Sequence, residues 1–416
     1  MNKMLNNKIL INIASLGTAT LINAVLAFVL GIVTRNILGP EQFGYWLTVS
    51  LIFTFIPLFQ LGTFNAMNRE IPFFLVRKDY KRVIEIRETV FSFIFTIPLL
   101  LVLLLIVSSL ITFFTQIKIE YKMGLLLGSI ISGFTYLSGY VDMYYKSEQN
   151  FKRASTLISI KSMSQTIITV ILVFFYGYIG LYLGMLFSLL IHTFMGKKVF
   201  PKIKSLHTIY EYKRLVKIGF PILIVGIIWS IMIAIDRIII SIFMTPKDLG
   251  NYGVGMMVFS TMMLFPQVIS QVMYPKIVEL VSIGDYSKIK RLYWKVNTIL
   301  AISMIFVMII GYILLPYFIT WYMPEYNDGI RAAQLLLMGL YPLTLVNLAA
   351  AYFNSTDNQK VYMAIQVVSI LINIALSIVF LYFNKSITSV AIATSISFII
   401  YSILMNTVFL LKIKGK

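Results

Sequence analysis

A few ionisable side chains interrupt long apolar runs in this chain of 416 residues, and they are the residues that could do chemistry. Asp236-Arg237 lies inside Ile231-Met232-Ile233-Ala234-Ile235-Asp236-Arg237-Ile238-Ile239-Ile240. A charge at membrane depth costs ~2.5–3.5 kcal/mol, so each must face water or find a partner. Adjacent helical residues project ~100° apart and cannot pair face to face. One of the two is therefore expected to face a polar cavity and the other a neighbouring helix. A guanidinium forks onto phosphate oxygens, which makes Arg237 a candidate ligand for a phosphate-bearing substrate. The alternative is a buried structural ion pair. Arg35 stands just before Leu38-Gly39-Pro40, where a helix must end. It either faces a cavity or snorkels to the interface.

Four further groups sit at the ends of apolar runs or within them. Arg69-Glu70 follows the second run and could meet a substrate at an inner mouth, or form an interfacial pair. Lys276 occupies the equivalent place in the second half. Asp142 could accept a proton or a cation, or be a helix-end acid. His192 could titrate near neutral pH or serve as a hydrogen-bonded packing residue. Amides within the runs (Asn23, Gln60, Gln165, Gln267, Gln271, Asn347, Gln366, Asn373) either line a cavity or tie helix to helix. Trp229 could stack on a sugar ring.

The absences narrow the chemistry. With no cysteine and only His192 and His207, thiolate catalysis and a His-rich metal site are excluded. There is no phosphate-binding loop, kinase set, H-E-x-x-H or nucleophile elbow, and no cofactor is expected. Glu120, Glu325 and Asp328 are isolated, so no acid pair suits glycosyl chemistry. An enzyme is not expected.

The elements that hold these residues are membrane helices. The chain is 59% hydrophobic and 12% charged, too apolar for a soluble protein of this size. Spans of ~20 apolar residues are read at 10–34, 45–66, 90–114, 122–141, 157–176, 180–196, 217–242, 252–273, 294–318, 331–353, 362–383 and 388–410. The expected fold is all-α, with about twelve transmembrane helices. The connections at 177–179 and 384–387 are too short for anything but antiparallel hairpins. One alternating set of connections, with both tails, carries 28 of the 35 Lys and Arg, against 5 in the opposite set. That split predicts cytoplasmic termini and accounts for most of the +19 net charge without a nucleic acid. The loops 67–89 and 197–217 are expected to form amphipathic helices on the inner surface, with Phe73, Phe74 and Leu75 toward lipid, or else solvated connectors.

An internal repeat divides the chain. Gly39-Pro40-Glu41-Gln42-Phe43-Gly44-Tyr45-Trp46 reads like Thr245-Pro246-Lys247-Asp248-Leu249-Gly250-Asn251-Tyr252, 206 positions on. At that offset, 9 of the 47 positions from Leu38 to Ile84 are identical, including Asp79-Tyr80 on Asp285-Tyr286. Two six-helix lobes, 1–205 and 206–416, entering the membrane in the same sense, are expected.

The run from Arg35 to Trp46, and Asp236-Arg237 followed by Leu249-Gly250-Asn251-Tyr252, resemble Wzx-type polysaccharide flippases of the multidrug/oligosaccharidyl-lipid/polysaccharide (MOP) superfamily. The resemblance implies a bacterial inner-membrane carrier of undecaprenyl-pyrophosphate-linked oligosaccharide, such as O-antigen units for lipopolysaccharide or capsule units. It implies alternating access, with Arg35, Arg237 and less securely Arg69 holding the pyrophosphate. Membrane lipids, a polymerase, a chain-length regulator and a proton or cation counter-ion are the implied partners. Two relatives offer alternatives. Lipid II flippases of the MurJ type usually have fourteen spans; drug antiporters of the MATE type have twelve but bind cationic ligands with cavity acids.

Overall fold

The computed structural model describes residues 2–203, 209–356 and 358–414, without the side chains of residues 2–21, 271, 272 and 275. Gln271 and His207 therefore lie outside what is described, and so does the expected lobe boundary at 205/206. In chain order the helices are α1 (Asn2–Ser50), α2 (Ile52–Phe55), α3 (Thr63–Val76), α4 (Tyr80–Ile94), α5 (Ile97–Thr112), α6 (Ile119–Ser147), α7 (Phe151–Tyr176) and α8 (Tyr178–Met195). The second series is α9 (Ile209–Phe243), α10 (Pro246–Ser282), α11 (Tyr286–Tyr322), α12 (Ile330–Thr344), α13 (Asn347–Ser355), α14 (Gln359–Phe383) and α15 (Ile387–Lys414). No strand occurs among the described residues.

Ten helical stretches are long and apolar enough to cross a membrane, and the bent pair Pro324–Thr344 and Asn347–Ser355 qualifies jointly. The remaining difference from the expected twelve lies in Ile22–Gln60, one stretch where two spans were read. It is kinked at Gly39, whose φ of 69° and ψ of 173° leave the helical region just before Pro40. Only a residue without Cβ reaches that conformation cheaply, and proline then starts the next arm at N1. Short hairpins stand where expected, through Gly177 between α7 and α8 and at 384–386 between α14 and α15.

The chain forms two compact units, one of Met1–Leu38 with Val49–Ile227, the other of Gly39–Thr48 with Ile228–Lys416. In unit 1, Met67, Ile71, Val83, Ile86, Val90, Tyr140 and Leu215 close a common core. This corrects the reading of 67–89 as a surface helix. Residues 63–94 form a helical hairpin, α3 and α4, whose turn follows Val76, and Val83, Ile86 and Val90 are at most 2% exposed. Phe73 remains half exposed, while Phe74 and Leu75 pack against the core. The apolar spacing of α4 serves a neighbouring helix here, not a lipid surface.

In unit 2 the two copies of the repeat pack on each other. A Cβ on Gly44 would fall on the backbone of Pro246, and one on Gly250 on the backbone of Pro40. The offset of 206 relates both members of each contact. The matched acids also do matched work. Asp79 caps α4 by accepting from the Arg82 N–H at 3.1 Å, and Asp285 caps α11 by accepting from the Lys288 N–H at 3.0 Å.

Candidate functional site

Asp236 and Arg237 divide as their helical projection requires. Asp236, on α9 in unit 2, is 2% exposed. Its Oδ2 accepts the Tyr252 hydroxyl of α10 at 2.6 Å, and its Oδ1 accepts the Arg237 backbone N–H at 2.7 Å. Tyr252 also bonds Thr394 of α15, Thr394 receives the Asn373 amide of α14 at 3.4 Å, and Asn373 accepts from Ser377 at 3.0 Å. A polar ladder thus crosses four helices, and its residues are almost wholly buried. Arg237 is half-buried, and its Nε makes no hydrogen bond. The hydrogen bonds of Asp236 thus go to Tyr252 and to the backbone, and the Arg237 guanidinium acts on its carboxylate only through its charge, so its planar fork of donors is the part of the pair able to take an anion.

Arg35, in unit 1, is 6% exposed, and its Nη1 donates to the Gly31 carbonyl at 3.0 Å. It therefore folds back along α1, away from the break at Gly39, which does not fit an arginine stretched to an interface.

Arg69 and Glu70 separate. Arg69 is exposed midway along α3. Glu70 accepts Arg214 Nη1 of α9 at 2.7 Å. Arg214 also grips Glu211 (2.7–3.1 Å), Arg82 reaches Glu211 at 3.3 Å, and Arg82 pairs with Glu85 at 2.7 Å. Five charges alternate in sign through α3, α4 and the first turns of α9, around the buried Glu211. Lys276 has no such setting: it pairs with Glu279 three residues on, both more than half exposed.

Asp142 and His192 come together. His192 of α8 is fully buried, with Nε2 3.3 Å from Asp142 Oδ1 of α6 and Nδ1 2.9 Å from Ser138 Oγ. Lys161 of α7 lies 3.3 Å from Asp142 Oδ2.

Several of these residues carried a signal and were not chosen. Lys161 is a charge inside an apolar run, as Asp142 is. Tyr252 stands in the second repeat at the place of Trp46. Glu211 and Arg214 looked like ordinary loop charges, because nothing local shows that the start of α9 is buried. Among the amides, Gln60 accepts the Phe64 N–H at 2.9 Å, and Asn373 ties α14 to α15. Trp229 lies against Tyr401 at 6.3 Å. No group of three or more His, Asp or Glu among the described residues could hold a metal.

Residues 9–281 match a family described as polysaccharide biosynthesis protein. No curated protein matches the chain. Among solved structures, a multidrug resistance MATE family transporter of the MOP superfamily in an inward-facing conformation is similar at a TM-score of 0.81 and 11% identity, over 94% of this chain and 95% of the other. Its outward-facing counterpart gives 0.69 and 12%, over 97% and 96%. The lipid II flippase MurJ, inward closed, gives 0.72 and 18%, over 96% and 89%. The fold is MATE-like.

Proposed function

Because the chain belongs to the polysaccharide biosynthesis protein family, we propose that it is a Wzx-type flippase. It moves undecaprenyl-pyrophosphate-linked oligosaccharide units from the cytoplasmic to the outer leaflet of a bacterial inner membrane, with both termini in the cytoplasm. The observation that carries this reading is Arg237, a half-buried guanidinium inside an apolar helix whose neighbouring acid is already taken by Tyr252. Arg237 and Arg35 are the proposed pyrophosphate ligands, and Arg69 a weaker candidate at the entrance. Glycan and pyrophosphate cannot cross hydrocarbon unassisted, because unsatisfied polar groups are costly there. Alternating access with bound charge removes that cost while the polyprenyl tail stays in lipid.

The resulting protein is a carrier and not an enzyme, working beside a polymerase and a chain-length regulator. The scarcity of acids, 16 against 35 basic residues, favours an anionic substrate over a cationic drug, which calls for carboxylates. The test is Arg237→Ala in cells that depend on this protein for surface polysaccharide. Export should fall at least tenfold at equal protein level, and Arg237→Lys should restore only part of it because a point charge lacks the fork. Undiminished surface glycan in Arg237→Ala overturns the assignment.

A further inference from the structure

Unit 2 carries a polar cavity that the pyrophosphate reading does not use. Its volume is about 560 Å³, inside the ~300–1,000 Å³ range of small-molecule sites. Three chain reversals meet there: the junction of α9 and α10 at Met244-Thr245, the Pro324–Gly329 turn before α12, and the hairpin at 384–386 between α14 and α15. Ile387, the first residue of α15, lines the cavity, and Lys414 ends that helix 28 residues long. At ~1.5 Å per residue the cavity lies more than a hydrocarbon thickness of ~30 Å from that end. On the proposed topology it faces the outside. The Pro324–Gly329 turn lies over both copies of the repeat. A Cβ on Gly39 would meet Glu325 Oε2 at 2.7 Å, and one on Gly329 would meet the Asn251 carbonyl at 2.4 Å. That close seat holds Asp328 at the cavity wall.

The decisive feature is Asn251, the buried polar residue of this lining. It is 2% exposed, and its Oδ1 makes no hydrogen bond. An amide oxygen left so costs stability, because its hydration is lost and nothing replaces it. The other copy of the repeat shows the closed alternative. At the offset of 206, Asn251 falls on Tyr45 and Lys247 on Glu41. Tyr45 is equally buried at 2%, and its hydroxyl donates to Glu41 Oε1 at 3.0 Å. In the second copy the shorter Asn251 makes no such bond, and Lys247 stands 4.0 Å from Asp328 instead. Where the first copy is closed by its own side chains, the second leaves an amide unsatisfied beside a cavity. Rotation about the last bond of that side chain presents its oxygen or its NH2, so it serves a hydroxyl as acceptor or donor.

The rest of the lining mixes donors and acceptors. Asp248 and Asp328 bring carboxylates, Lys385 an ammonium and Thr388 a hydroxyl. Asp248 accepts the Thr245 hydroxyl and N–H at 2.6 and 3.0 Å, both at Oδ2. A small anion would meet two carboxylates here. A metal ion would meet an ammonium, and no group of three metal ligands stands here among the described residues. A neutral ligand that donates and accepts at several points suits the whole set, and a sugar ring with its hydroxyls is such a ligand. Phe243, half exposed on the lining, offers an apolar face to the C–H side of the ring. We propose that this cavity binds a saccharide, with one sugar hydroxyl bonded to the Asn251 amide and others donating to Asp248 and Asp328. The site stands on this geometry; only the identification of its occupant as the exported glycan, and not a free saccharide, rests on the flippase reading.

The test uses the whole protein in lipid nanodiscs with glucose, galactose, N-acetylglucosamine, lactose and cellobiose as probes, observed by saturation-transfer NMR. At least one should bind, and inorganic phosphate at the same concentration should not displace it. Asn251→Leu keeps the bulk of the side chain and removes the amide. It should weaken that sugar about five- to tenfold, the effect of one hydrogen bond. Its resistance to unfolding should match the parent's, because no side-chain bond within the protein is lost. A purely structural amide would leave sugar binding unchanged. Should Asn251→Leu fail to fold, Asp328→Ala changes an exposed side chain and should weaken the same sugar severalfold. Silence from every probe, displacement by phosphate, or undiminished binding in the folded variant overturns the site. In cells, Asn251→Leu should lower surface glycan when the occupant is the exported glycan. Full surface glycan with lost sugar binding assigns the site to a free saccharide. The binding assay needs no transport, so the two readings fail separately. Absent sugar binding beside lost export in Arg237→Ala strikes the saccharide site alone. Sugar binding that depends on Asn251, beside normal export in Arg237→Ala, strikes the pyrophosphate reading alone.

Discussion

Tyr252→Phe isolates the contact that separates Asp236 from Arg237. The substitution removes one oxygen and keeps the ring, so packing around a fully buried side chain changes little. What is lost is a 2.6 Å hydrogen bond to a carboxylate that is 2% exposed. Bonds to charged groups contribute ~1.5–3 kcal/mol, and the upper end applies when the abandoned acceptor stays buried. Asp236 keeps one donor, the Arg237 N–H at 2.7 Å, which limits the loss. A destabilisation of about 2–3 kcal/mol is expected. In an Asp236→Asn background the same bond is neutral and contributes only ~1 kcal/mol. The double-mutant cycle should therefore return a coupling of about 1–2 kcal/mol. Denaturant unfolding in one fixed detergent measures all four proteins. Coupling below ~0.5 kcal/mol, the usual value for independent sites, would refute the claim that Tyr252 holds this acid.

Other outcomes follow from single contacts. Gly44→Val and Gly250→Val each drive a side chain into a proline backbone and should cost at least ~1–3 kcal/mol in an unfolding assay, since neither backbone can yield locally. Glu211→Gln leaves Arg82 and Arg214 facing each other with one acid fewer. Both arginines are 25–34% exposed, so after screening the loss should be about 1–2 kcal/mol, and high salt should narrow the gap to the parent. Asp285→Ala should destabilise the fold through the lost cap of α11. The Lys288 side chain bonded to Asp285 holds that carboxyl below its usual range. The cap's contribution is therefore present above the unfolded value near pH 4 and fades as pH falls through the lower folded value. An acid titration of parent against Asp285→Ala should show the two stabilities converging below about pH 4.

The sequence was most legible where period and breaker residues act alone. Apolar runs of ~20 residues, the break at Leu38-Gly39-Pro40 and the hairpins at 177–179 and 384–387 depend only on local chain chemistry, and the helices follow them closely. The hairpin of α3 and α4 was misread because amphipathic spacing says that one face is apolar and not what covers it. Val83 and Ile86 needed Met67 and Ile71 as partners, a pairing that no local pattern carries. The charge ladder was hidden for the same reason. Glu211 and Arg214 are three residues apart and looked solvated, yet Glu70, 144 positions from Arg214, completes their set. The site was half legible: a charge in an apolar run announces that it needs a partner, but the partner is chosen by tertiary packing.

The repeat shows why architecture and chemistry part company within one molecule. Gly44 on Pro246 and Gly250 on Pro40 are the same contact made twice, and each needs the absence of a side chain. A requirement for empty space tolerates no alternative residue, so both copies must keep it. The arginines obey no such rule. Arg35 bonds back to Gly31 on its own helix, and at the offset of 206 its counterpart is Ser241, one turn beyond Arg237. Arg237 instead follows an acid that Tyr252 has taken. An asymmetric ligand such as a lipid pyrophosphate with a glycan on one end has no use for two identical clamps. Moving the second arginine to the position equivalent to Arg35, by combining Arg237→Ser with Ser241→Arg, should therefore fail to restore export, although it restores the symmetry. Full restoration of surface glycan by that pair would mean that charge anywhere on this stretch of α9 suffices, and that Tyr252 and Asp236 do nothing to aim it.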